Sequence, residues 1–193
     1  MRNVVAGVVT VACVMKIYTR KGDDGTTGLL YGGRVAKDAP APTAYGDVDE
    51  AQAVLGLARA EAEPGSELDT LLIGIERDLY VLMAELATAP GNRSKLVGGT
   101  TLVIDEMVTA LEATIDDLSA RFDAPTEFVV PGENRVAALL DVGRTVVRRA
   151  ERMALRAAAD GSLVVPYLNR LSDLLWTMAR WQGGPSLITK ERS

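Results

Sequence analysis

The chain has 193 residues, 24% of them charged, and its 21 Lys and Arg against 26 Asp and Glu leave a net charge of −5. This size makes one domain, or one domain with short appendages, around a sizeable core, and the acidic balance excludes a general nucleic-acid binder, because phosphate backbones demand a basic footprint. The absence of histidine excludes Ser–His and Cys–His hydrolysis, and the single Cys13 supports neither a disulfide framework nor a zinc cluster, so a reducing cytoplasm is the expected setting.

Residues 1–14, MRNVVAGVVTVACV, form an apolar extension too short to span a membrane as a helix. It weakly resembles a signal h-region without a clear cleavage site. Two other readings stand beside export: that translation starts at Met15, or that the β-branched extension pairs as a strand. No membrane association is expected. The main domain is placed at 15–185, with a C-terminal tail at 186–193.

Residues 15–42 read as irregular and rich in turn formers. They hold the run Thr19-Arg-Lys-Gly-Asp-Asp-Gly-Thr-Thr-Gly28, with three glycines, three threonines, two cations and two acids. Glycines let a backbone approach a bulky anion and turn N–H groups toward it. Hydroxyls and cations then hold phosphate oxygens, and the adjacent carboxylates can hold a hard cation. A solvated Gly/Thr turn is the plainer alternative. The pattern is not a Walker A loop.

Five helices follow. The first is predicted over about Thr43 to Glu63, before Pro64-Gly65. Ser66 caps a second that runs to about Thr88, with Leu68, Leu72, Ile75, Leu79, Leu82 and Leu86 on one stripe. A polar loop spans 91–99, and a third helix covers about 100–121. After a connector containing Phe128-Val-Val-Pro-Gly132, a fourth runs from about Asn134 to Ala159. The fifth spans about Val164 to Trp181, with Pro166 in its first turn. Short loops and apolar stripes predict an all-α, five-helix up-and-down bundle preceded by the irregular Gly/Thr-rich, phosphate-binding segment. No 20–50-residue repeat is visible.

Two helices carry charge that packing alone does not require. In the fourth, Arg144, Arg148 and Arg152 recur at helical spacing on one face, with Glu151 beside them. They read either as a cradle for a polyphosphate, which suits planar guanidiniums, or as an exposed stripe offset by acids such as Asp141. In the fifth, Asn169 and Asp173 stand one turn apart among leucines, as ligand contacts or as a structural polar pair. Asp47, Asp49 and Glu50 suit the start of the first helix, and Asp49 can equally pair with an arginine of another helix or subunit.

Taken together, TRKGDDGTTG, Gly33-Arg-Val-Ala-Lys37-Asp38, AYGDVDE, RTVVRRAER and YLNRLSDLLW resemble the PduO-type ATP:cob(I)alamin adenosyltransferases over about Ile17 to Arg180. The resemblance implies a homotrimer of five-helix bundles with active sites between subunits. It also implies transfer of the 5′-deoxyadenosyl group of ATP to cob(I)alamin, with Mg²⁺ on the nucleotide. Thr19, Arg20, Lys21, Gly22, Asp23, Gly25, Thr27 and Gly28 then resemble the triphosphate cradle, and Lys37 the phosphate-contacting lysine. Arg148, Arg149, Glu151 and Arg152 match the segment that holds ATP and its cation, with Glu151 the metal-side acid, and Asn169 matches an ATP contact. Asp49 and Arg144 resemble a salt bridge across the subunit interface. Phe128 matches an aromatic beneath the corrin ring, which leaves cob(II)alamin four-coordinate before reduction.

An electron-donating flavoprotein reductase and hand-off to an adenosylcobalamin-dependent mutase are the implied partners. A cofactor carrier that binds without turnover would use the same residues. The sequence departs from the family's pattern twice: Glu133 follows Pro131-Gly132 where a second glycine is common, and Asp141 stands where a histidine is common. Both fall near the expected corrin side.

Overall fold

The computed structural model describes residues 17–189. The readings of residues 1–14 and of Met15 as a start lie outside the described residues, as do the last four residues of the tail. Among the described residues, no helix is long and apolar enough to cross a membrane.

The segment expected to be irregular contains a hairpin. Strand β1 (Thr26–Gly28) pairs antiparallel with β2 (Arg34–Ala36), Thr27 opposite Val35. Threonine and valine favour the extended backbone. The turn between them takes Tyr31, Gly32 and Gly33 through positive φ, where two glycines bear the conformation without a Cβ penalty. The hairpin is fastened to the bundle where Leu30 N–H donates to the Ala87 carbonyl at 2.8 Å.

Five α-helices make the body: α1 (Pro40–Ala60), α2 (Glu67–Leu86), α3 (Asp105–Ser119), α4 (Arg135–Ala154) and α5 (Val164–Gly183), with a 3-10 turn at Pro90–Lys95. Helix α1 begins before Thr43 because Pro40 presets the first-turn φ. Ser66 caps α2 as expected, accepting from Asp69 N–H at 3.2 Å, and Asn134 caps α4, accepting from Ala137 N–H at 2.8 Å. Helix α3 starts five residues later than expected. Residues 97–102 close a turn in which the Val97 carbonyl accepts from three amides, which takes Thr100–Leu102 out of the helix. Helix α4 ends at Ala154, where the chain tightens into successive short-range turns.

Helix α1 packs on α2 and α4, α4 on α5, and α5 on α3. Two of these pairs, α1 with α2 and α4 with α5, are sequential, whereas α1 with α4 and α3 with α5 are not, and α3 does not pack extensively on either of its chain neighbours. The connectors 87–104 and 120–134 are long enough to carry α3 to the far side of α5. Leu55, Leu72, Leu82, Leu140, Leu171 and Leu175 are fully buried between the helices. At Gly143 a Cβ would stand 2.9 Å from Leu55 Cδ2, so glycine sets the close approach of α4 to α1.

The tail does not hang free over its described part. Val129 and Ile188 form an antiparallel bridge, Thr189 N–H donates to the Phe128 carbonyl, and Val130 N–H to the Leu187 carbonyl, both at 2.8 Å.

Candidate functional site

The Gly/Thr run is organised by short-range bonds. Asp24 accepts from the Thr26 amide at 2.9 Å and the Thr26 hydroxyl at 2.8 Å. These bonds, with Arg34 at 3.5 Å, hold its carboxyl below the usual range. Arg34, given no role by the sequence reading, donates to the Thr26 hydroxyl and to the Lys21 carbonyl, closing the loop onto β2. Lys37 N–H donates to the Gly25 carbonyl at 2.9 Å. The Lys37 side chain crosses Gly22 so closely that a Cβ there would lie 3.1 Å from its Cε. Lys37 and the loop are thus one unit. Thr19, Arg20, Lys21, Asp23, Gly25 and Gly28 are exposed on it, and Gly22 and Thr27 are half-buried.

A second cluster lies on α4 and α5. Arg148 and Arg152 are exposed, with Arg152 Nη1 donating to the Arg148 carbonyl at 2.8 Å. Asn169 Nδ2 donates to Glu151 at 3.0 Å, and its carbonyl oxygen accepts from Arg170, which pairs in turn with Glu112. Asn169 is therefore oriented from both sides. Asp173 is exposed and is not its buried partner. Arg149 turns to α1, where it pairs with Glu50 and, at 3.4 Å, with Asp47. These carboxylates, Glu50 first, raise its pKa further, so its charge is already answered within the fold.

Among the described residues, no hydrogen bond or ion pair joins the loop 19–28 or Lys37 to Arg148, Arg152 or Asn169. Within one chain they remain two half-sites. Asp49 is exposed and Arg144 bonds elsewhere, so these two are not joined within the chain either. Among the described residues, no group of three or more His, Cys, Asp or Glu is gathered to hold a metal ion.

The third feature is a cavity of about 620 Å³ between the Phe128 connector, α4 and α5. Phe128 is 87% exposed at its edge, held by the backbone pairing to the tail. Its wall carries Asp141, Arg144, Trp176 and Arg180. Asp141 is buried and accepts from Arg144 Nε at 3.3 Å and Arg180 Nη2 at 2.5 Å. It offsets Arg144, the first arginine of the expected stripe, and also neutralises the interior Arg180. Arg180 is 1% exposed, lies 3.6 Å from Glu133 and stacks 6.0 Å from the Trp176 ring centre. Arg180 and Trp176 escaped the sequence reading. The available signal was a charge within the otherwise uncharged run Leu174–Trp181.

A family model described as cobalamin adenosyltransferase matches residues 17–182. The corrinoid adenosyltransferase of Mycobacterium tuberculosis is 42% identical over 170 residues, covering 86% of this chain and 87% of that protein. The Bacillus subtilis corrinoid adenosyltransferase is 38% identical over 173 residues, covering 86% of each. Among solved structures, a variant of the PduO-type ATP:corrinoid adenosyltransferase from Lactobacillus reuteri, complexed with cobalamin and ATP, superposes with a TM-score of 0.81 at 28% identity, covering 91% of this chain and 97% of that one. The match spans the hairpin, all five helices and the cavity, and the chain belongs to the cobalamin adenosyltransferase family.

Proposed function

We propose that this protein transfers the 5′-deoxyadenosyl group of ATP to the cobalt of cob(I)alamin. The observation that carries the reading is the coexistence, in a chain of this family, of two exposed cationic half-sites and a separate, aromatic-edged cavity. One suits a triphosphate and the other a large, mostly apolar ring.

The cobalt(I) electron pair attacks the 5′ carbon, a Co–C bond forms, the C–O bond breaks, and its electrons leave with triphosphate. Cobalt(I) is itself a strong nucleophile, so no protein base is required, in keeping with a chain without histidine. The protein's tasks are alignment of the two substrates and stabilisation of the leaving charge. Lys37 and the 19–28 loop hold the phosphates from one side. Arg148, Arg152 and Asn169 hold them from another, and Glu151 fixes Asn169. Mg²⁺, carried on the triphosphate oxygens with Glu151 offering a single carboxylate, would neutralise developing charge.

The half-sites meet when subunits associate as a homotrimer, with Asp49 of one subunit and Arg144 of the next at the junction. Phe128, exposed at the cavity edge, covers the lower face of the corrin and keeps water and axial ligands off cobalt. Four-coordinate cob(II)alamin is then easier to reduce, because axial ligation tunes the metal's potential. The electron donor is a flavoprotein reductase, the product passes to an adenosylcobalamin-dependent mutase, and the setting is cytoplasmic. The active domain corresponds to 15–185.

The test is an anaerobic absorbance assay with chemically reduced cob(I)alamin, Mg²⁺ and ATP. Loss of the cob(I)alamin band, with light-sensitive adenosylcobalamin and triphosphate appearing, is expected. Binding of ATP or corrinoid without turnover would refute the transferase reading.

A further inference from the structure

The two positions at which the sequence departs from its family pattern, Glu133 and Asp141, meet on one buried arginine. Arg180 Nη2 lies 2.5 Å from Asp141 and 3.6 Å from Glu133, yet its Nε and Nη1, and the neighbouring Glu133 Oε1, have no hydrogen-bond partner. Arg180 is 1% exposed and forms part of the cavity wall beside Phe128 and Trp176. Arg180 also lines a second hollow, with Phe122, Asp123 and Pro185. Buried guanidinium donors left unpaired are costly, and nearly all buried donors in folded proteins are satisfied. Unpaired donors on the wall of a binding cavity mark where an acceptor belongs.

The surrounding charges select the kind of acceptor. A bare arginine would recruit a carboxylate or phosphate. Here Asp141 and Glu133 already offset the charges of Arg180 and Arg144. Glu127 on the cavity wall and Asp123 across the second hollow add no positive charge. The group therefore offers hydrogen-bond donors without net positive charge, and bringing an anion against Asp141 costs repulsion. A neutral carbonyl oxygen fits this environment. Cobalamin carries such oxygens on the primary carboxamides around its corrin ring.

Resting on the proposed corrinoid function, we infer that Arg180 is a specificity-determining residue. It donates to the carbonyl of a peripheral carboxamide of the corrinoid, and Asp141 and Glu133 set it to reject the corresponding carboxylate.

The experiment measures corrinoid binding by quenching of intrinsic tryptophan fluorescence, to which Trp176 in the cavity wall and Trp181 contribute, with ATP present. The probes are cobalamin and its separated monocarboxylic derivatives, each with one amide hydrolysed. The wild type should bind at least one derivative about tenfold more weakly than cobalamin, the size of one repulsive or lost charged contact. The near-isosteric E133Q/D141N variant keeps the acceptors but removes both negative charges, and should shrink that ratio to about threefold or less. E133Q alone, a milder change, should shrink it partway.

Equal wild-type affinity for every derivative, or an undiminished ratio in folded E133Q and E133Q/D141N, overturns the inference while leaving the adenosyltransferase reading intact. Absence of any quenching by cobalamin overturns both.

Discussion

The Gly/Thr loop proposed to hold nucleotide and the cavity proposed to hold the corrin are built on opposite physical plans. The loop is held by contacts between near neighbours, Asp24 with Thr26 and Arg34 with Thr26 and Lys21, most of them in water. The cavity wall rests on a buried ion pair between Arg180 and Asp141, 39 residues apart and on different helices. A triphosphate brings its own charge and can be gripped by solvated cations. A flat ring of fixed shape needs a wall that does not move. Binding energy on the first side is therefore expected to separate from folding energy, whereas on the second side the two are coupled.

The largest effect should come from Arg180→Met. Removing one partner of a buried ion pair leaves Asp141 paired with Arg144 alone and costs about 3–5 kcal/mol. Thermal melting checks this, and a loss under about 1 kcal/mol would abolish the contrast between the two regions. Lys37→Ala should raise the KM for ATP about 10–100-fold, the worth of a charged hydrogen bond, with global stability changed by no more than about 0.5 kcal/mol. Steady-state kinetics and melting on the same sample separate the two quantities.

Phe128→Ala should mainly impair activation of cob(II)alamin and leave ATP affinity nearly intact, since the ring is exposed at the cavity edge, which neither Lys37, Arg148, Arg152 nor Asn169 lines. An ATP affinity loss as large as that of Lys37→Ala would defeat this division of labour.

The smallest effect concerns pH. Asp69 accepts from Gly65 N–H and from Arg59, and these bonds, the first foremost, hold its carboxyl below 3.8. A carboxylate depressed in the folded state stabilises fully above its unfolded pKa and loses that contribution as pH falls through the lower folded value. With no histidine in the chain, melting temperature should be nearly flat from about pH 5.5 to 8 and fall only in strong acid. Asp69→Asn should lower the plateau and soften the acid fall.

How far the sequence was readable follows the same division. The helices were legible because leucine stripes such as Leu68–Leu86 repeat at helical spacing, and Ser66 announced its cap. The hairpin was not, since strands of three residues fall below any usable periodicity. The start of α3 was misplaced because Leu102 and Ile104 continue the apolar spacing through a turn whose bonds depend on Val97. The packing of α3 on α5 is set by connector length and tertiary fit, which leave no local mark.

At the site, Arg148, Arg152 and Asn169 stood out as polar groups in recognisable spacing, and Lys37 through the family resemblance. Arg180 did not, because a lone charge in an apolar run has no period and its partners Asp141 and Glu133 are distant in sequence. The acids could be recognised as departures from a pattern; only their convergence explains what they do.

The backbone pairing of Val129 with Ile188 carries a practical consequence. Residues 187–189 act as a clasp on the segment that bears Phe128, so this part of the tail is mechanically part of the cavity wall proposed to face the corrin. A truncation that removes Leu187–Thr189 would act on catalysis from outside the site. Preparations differing only at that end should differ first with cob(II)alamin as substrate.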